Sequence, residues 1–83
     1  MKEQHYNAQG RAECFIEMES LYGRQALISF CELNAYKYAY RADLKNQKQS
    51  DLEKQVFYDL LAKKLRHNNH KELHEILKEL RNE

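Results

Sequence analysis

Eighty-three residues make one domain, and a domain of that size buries a smaller share of its surface than a larger one, so close packing or association between chains has to supply the rest of its stability. There is no proline and there are only two glycines, Gly10 and Gly23, which excludes the turn-dense composition of a sandwich or barrel and leaves helices as the default. The formal net charge is only +1, but eight basic residues stand against four acids between Lys37 and Arg66; a basic middle between acidic flanks suits a phosphate-bearing ligand or charge-complementary association, and equally a solvated helix surface.

Cys14 and Cys31 have no CxxC spacing and read as small core residues of a reduced intracellular protein rather than as a disulfide or a metal site. The start MKEQHYNAQ has no apolar run behind it, and nowhere do eighteen apolar residues follow one another. Neither a signal peptide nor a membrane span is expected, and the cytoplasm is the expected location.

In chain order, residues 1 to 10 show no helical period and read as an N-terminal arm closed by Gly10. A first helix is predicted from Arg11 to Tyr22, with Phe15, Met18 and Tyr22 on one stripe and Ile16 beside it. Gly23 is placed to end it, because glycine tolerates the left-handed conformation common just past a helix C-terminus. A second helix is predicted from Arg24 to Ala42, with Ile28, Ala35, Ala39 and Ala42 forming a small-residue groove where another helix can approach.

Residues 43 to 50 read as the connection to a third helix that starts at Asp51, since Ser50 and Glu53 have capping-box spacing and Asp51 and Glu53 suit the positive end of the dipole. Leu52, Val56, Leu60, Leu61 and Leu65 are its predicted apolar stripe, widened by Phe57, and Lys63, Lys64 and Arg66 suit its C-terminal dipole. Asn69 with Glu72 predicts the cap of a fourth helix over residues 69 to 82, whose seam is Leu73, Ile76, Leu77 and Leu80. So short a helix has to dock, in cis on the core of residues 11 to 66 or in trans on another subunit. The fold class is therefore an all-α bundle of three to four helices over residues 1 to 83, expected to be oligomeric.

The stretch NAYKYAYRADLK from Asn34 to Lys45 holds the densest mixture of polar chemistry and core-like residues. At about 100° per residue, Asn34, Lys37, Tyr38 and Arg41 share one face within an arc of about 100°, with Leu27 and Phe30 on the same side. A planar guanidinium fork, a point-charge ammonium, a phenol ring and an amide could together hold a phosphate and a flat base. They could equally form a structural network in which Lys37 and Arg41 snorkel over tyrosines and Asn34 bridges backbone groups. Helical geometry alone leaves both readings open.

Other chemistry is scarce. No GxxxxGK[ST] or GxGxxG loop, nucleophile elbow or zinc-finger spacing occurs. Glu13 and Glu17 lie at i, i+4, and His67, His70 and His74 cluster near a helix junction, yet both patterns more often solvate a surface than hold a metal, and no metal ligand and no cofactor is assigned. Nucleic-acid binding through Lys45, Lys48, Lys54 and Lys63 is only a weak electrostatic inference.

Several short blocks, in order, resemble a small bacteriophage family of unknown function: His5 and Tyr6, then NAYKYAYR from Asn34 to Arg41, Lys45, and DLEKQVFY from Asp51 to Tyr58. The pattern is an initial HY, a central N-x-x-K-Y-x-x-R, a following lysine, D-L-x-K and a later tyrosine, and the similarity covers about residues 5 to 61. Leu33, Gln55 and Asp59 depart from the customary glycine, alanine and leucine. Some members of that family carry a nucleotide-kinase label, and the domain looks like part of a short-tailed-phage deoxynucleoside monophosphate kinase without a standard phosphate loop. The resemblance implies a site of Asn34, Lys37, Tyr38, Arg41, Lys45, Asp51, Lys54 and Tyr58 shared across a helical hairpin. Lys37, Arg41 and Lys54 would take phosphate, Tyr38 and Tyr58 would pack the base or sugar, and Asn34 would orient it. The implied function is binding of a nucleotide or related phosphate ligand in nucleotide metabolism; whether the chain is an enzyme stays open, and an enzyme would be nucleotide kinase-like. The alternative is a non-catalytic interaction module that self-associates or binds a host protein or nucleic acid.

Overall fold

The computed structural model describes residues 9–42, 44 and 48–81, and these are all-helical: α1 (Gln9–Tyr22), α2 (Arg24–Ala42), α3 (Lys48–His67) and α4 (Leu73–Arg81). His5, Tyr6 and Lys45 lie outside the described residues.

α1 and α2 are divided at Gly23, whose φ of 96° is a left-handed conformation that other residues enter at a cost. Its N–H still donates to the carbonyl of Glu19 at 2.8 Å, and Leu27 N–H in turn donates to the carbonyl of Gly23, so the chain turns between helices without orphaning their end groups. Arg24 locks this corner: Nε donates to Glu19 at 2.6 Å, and Nη1 donates to the carbonyls of Asn68 and Asn69 at the far end of α3. α2 has the bounds its sequence suggests. α1 starts earlier than expected, at Gln9, so Gly10 lies inside its first turn instead of closing an arm.

α2 and α3 form the main packing pair, with α1 against α2 and α4 against α3 and α1. The core between them is Phe15, Leu27, Ile28, Cys31, Ala35, Tyr38, Tyr58, Leu61, Ala62 and Leu65, closed by Leu73, Ile76 and Leu77 of α4. The fourth helix thus docks in cis, on the seam its periodicity indicates. Glu79 fastens it, standing 2.5 Å from Lys71 Nζ and 3.8 Å from Lys64 Nζ of α3. Both lysines hold its carboxyl below the usual glutamate range, the Lys71 hydrogen bond most of all.

Two expectations about α3 are corrected. The helix begins at Lys48, not Asp51, so Ser50 lies within its first turn and Glu53 is bonded by Gln49 instead, at 3.2 Å. Its inward face is also not the whole expected stripe: Leu61 and Leu65 are buried, but Leu52, Val56 and Leu60 face outward beside them. The reason is aromatic. Tyr58 meets Phe15, Phe30, Tyr38 and Phe57 at ring separations of 5.2–6.1 Å, and rings are large apolar groups whose mutual packing turns the Tyr58 side of α3 inward. A smaller correction concerns the ends of other elements: Tyr22 and Ile16 of α1 are exposed, and α4 starts at Leu73, with the Glu72 carbonyl accepting from Glu75 and Ile76, so Asn69 does not cap it.

Candidate functional site

The helical hairpin of α2 and α3 brings together most of the residues singled out in the sequence. Tyr38 comes from the inward edge of α2 and Tyr58 from the inward face of α3, and the two rings stack at 5.9 Å with an interplanar angle of 8°. Both side chains are buried. The rings are therefore spent on each other and on the phenylalanines beside them, and they form the floor of the site instead of an open slot for a base.

Cations gather around that floor. Lys37 Nζ stands 4.5 Å from the centroid of the Tyr38 ring, Lys54 Nζ 5.4 Å and Arg41 Cζ 5.6 Å. Lys37 and Arg41 reach the ring because they flank Tyr38 on the helical surface, and Lys54 reaches it because α3 runs back along α2. Each contact is favourable by itself, since the ring face carries negative quadrupole density. Asp51 beside Arg41 offsets part of the repulsion among the three like charges, and an anion placed among them would relieve more of it.

Asp51 lies at the edge of this cluster and is completely buried. Its Oδ2 is 3.9 Å from Arg41 Nε, within ion-pair range but too far for a hydrogen bond. Among the described residues neither Asp51 oxygen has a hydrogen-bond partner, and nor does the buried Arg41 Nε. Buried polar atoms are nearly always satisfied, so this pair is a polar exception inside the hairpin. The sequence placed Asp51 at a helix start; the extra turn of α3 instead points it inward at Arg41.

Asn34 is less committed to a ligand than its position suggests, because its Nδ2 donates to the carbonyl of Phe30 at 3.0 Å, one turn back along α2. Lys45 lies outside the described residues. The thiols divide: Cys31 is buried, as expected, and burial, with Glu32 adding to it, pushes its thiol up to about 12, which makes it an inert core group. Cys14 is exposed on α1, contrary to the expectation of a core residue. Among the described residues no group of three or more histidines, cysteines or acids could hold a metal ion. His67 instead lies 2.9 Å from the carbonyl of Lys63, and His74 3.7 Å from Glu72. Among the described residues no helix is long and apolar enough to cross a membrane.

What sequence reasoning did not single out is the apolar strip on the outer side of α2, where Leu33, Tyr36 and Tyr40 are exposed. Their spacing of three and four was the available signal.

A family model described as a protein of unknown function, DUF3310, matches residues 1–59. The match spans α1, α2 and the first part of α3, and so takes in the residues of the cationic cluster and ends before α4. No curated protein and no solved structure gives a significant match to the chain.

Proposed function

The chain belongs to the DUF3310 family, and we propose that its cationic face on α2 and α3 binds a phosphate-bearing ligand, a nucleotide or a related compound, in nucleotide metabolism. The observation that carries the reading is the convergence of Lys37, Arg41 and Lys54 on the ring of Tyr38. Arg41 offers a planar fork and the lysines offer point charges, which together suit the several oxygens of a phosphate group. The stacked Tyr38 and Tyr58 rings give the cluster a rigid, low-dielectric floor, on which a charge contact is stronger than it would be in open water. Because those rings cover each other, the phosphate, not the base, is the part of the ligand this face recognises; Asn34 belongs to the same proposal as a flanking group, and Lys45, outside the described residues, enters it from the sequence resemblance alone. The resemblance to phage proteins with a nucleotide-kinase label agrees with the ligand class. Phosphoryl transfer would need a second substrate site and a phosphate-metal cradle, so binding is proposed and catalysis is not.

A thermal-shift panel of nucleoside mono-, di- and triphosphates and inorganic pyrophosphate, with and without magnesium, tests this directly. A ligand present at about a hundred times its dissociation constant stabilises the folded chain by about 2.7 kcal/mol. The shift is expected in the wild type and reduced in Lys37→Ala and Arg41→Lys, the second of which keeps a charge beside Asp51 while removing the fork. A flat panel, or shifts that both variants retain in full, would overturn the proposal.

A further inference from the structure

Among the described residues, one side of α2 is unpartnered along its length. Leu33, Tyr36 and Tyr40 are 70%, 74% and 61% exposed, and Ala26 and Ser29 continue the same line, also exposed. The five positions follow one another at steps of three, four, three and four residues, which is the first-and-fourth-position repeat of a two-stranded coiled coil. They lie on the side of α2 opposite Leu27, Cys31, Ala35 and Tyr38, which fill the core. α2 is therefore largely apolar on both of its sides, and the outer one is left exposed by the described residues. Large apolar side chains grouped in this way, in a domain this small, mark a contact surface.

The charges beside the strip say what fits it. Glu32 lies just before Leu33 and Lys37 just after Tyr36, five residues apart on opposite flanks of the seam. In a parallel helix pair those are the two positions that meet across the interface, so Glu32 of each copy would face Lys37 of the other twice about the twofold axis. An antiparallel pair would set like flanks against each other. Glu32 also pairs with Arg66 of its own chain but keeps 43% of its side chain exposed, which leaves room for a second cation.

We propose that a second copy of this chain covers the strip, in a parallel twofold dimer with Leu33, Tyr36 and Tyr40 at its centre and Glu32 paired with Lys37 across it. Closing the seam removes three large side chains from water and pairs two flanking charges per copy. The dimer shares Lys37 with the phosphate reading but does not rest on it, since the apolar strip exists without a ligand and the mass in solution is read without one. It does bring the two Lys37 flanks to the interface, so each cationic cluster would lie at the dimer edge.

Sedimentation equilibrium of the full chain across a dilution series tests this. The wild type is expected at twice the 10.0 kDa chain mass, and Tyr36→Glu at the single-chain mass with an unchanged far-ultraviolet circular dichroism spectrum. Val56→Glu, on the outward side of α3, is expected to stay dimeric. Glu32→Lys and Lys37→Glu are each expected to lower the mass toward one chain, and the double variant to restore it. The charge exchange decides the matter even if Tyr36→Glu does not fold. A monomeric wild type, a dimer that survives Tyr36→Glu, loss of the dimer in Val56→Glu, or a double variant that fails to restore it would each overturn the proposal.

Discussion

Asp51 and Arg41 face each other at 3.9 Å between the end of α2 and the start of α3, one side chain wholly buried and the other 37% exposed. The distance leaves both partners short of a hydrogen bond, so the carboxylate serves as a buried counter-charge that holds the guanidinium near Tyr38. Removing one member of such a pair strands the other. Arg41→Ala is expected to destabilise the fold by about 2 to 3 kcal/mol, below the usual range for fully buried pairs because Arg41 is partly solvated. In a double-mutant cycle on chemical denaturation, Asp51→Asn should cost much less in the Arg41→Ala background than in the wild type. Additive effects would mean that the two side chains do not act as a pair.

The same contact sets the sign of an effect on ligand binding. If Asp51 only contributed negative charge near the phosphate, Asp51→Asn would tighten anion binding. Because it holds Arg41 in place, the substitution is expected to weaken binding of inorganic pyrophosphate, and a titration calorimeter distinguishes the two directions. Tighter binding in Asp51→Asn would assign the residue an electrostatic role alone.

Tyr58 is the hub of the aromatic core, and its removal should be felt throughout the hairpin. Tyr58→Ala is expected to cost about 3 to 5 kcal/mol, the range for emptying a large aromatic position. Tyr22→Ala, on a side chain 73% exposed, should stay within about 0.5 kcal/mol of the wild type. Urea midpoints compared at equal slope check both.

Gly23 is a purely conformational position. A Cβ added there meets nothing within 4 Å, but φ is 96°, so Gly23→Ala is expected to cost about 1 to 2 kcal/mol through the backbone alone. Gly23→Asn should cost less, because asparagine enters the left-handed region more readily. Equal losses from the two substitutions would point to a contact instead of a dihedral cause.

Acid should loosen α4 before the rest of the fold. The carboxyl of Glu79 is held below its ordinary value, chiefly by the hydrogen bond from Lys71. Its contribution is therefore fully present above the ordinary value of 4.5 and is lost as pH falls through the lower folded value. Amide exchange in residues 73 to 81 is expected to speed up below that point, and Glu79→Gln should remove most of the pH dependence. Uniform loosening of all four helices would show that the anchor is not local.

Much of the fold is legible in the sequence where a single rule governs. Gly23 falls between two stretches that each carry their own helical stripe, and the α4 seam has no competing apolar face, so both read directly. α3 is different because Leu52, Val56 and Leu60 and the pair Leu61 and Leu65 are both helically spaced; periodicity cannot choose between them, and the choice rests on where Tyr58 finds other rings. Asp51 misleads for a related reason, since an acid in a first turn looks the same whether it caps the helix or points inward. The grouping of Lys37, Tyr38 and Arg41 follows from helix geometry and was legible. That Tyr38 and Tyr58 cover each other is a tertiary fact that no spacing reveals.

The most direct measurement of the central claim is a calorimetric titration of nucleoside monophosphates and inorganic pyrophosphate into the wild type and into Lys37→Ala, at low and at physiological salt. Lys37 is exposed and touches the core only through its contact with the Tyr38 ring, so its loss should leave the fold intact and weaken binding by about tenfold, as expected for one charged contact to phosphate. Saturable binding that weakens in the variant and with added salt is the expected result. Equal affinity in both proteins, or no binding by either, would contradict a phosphate site on this face.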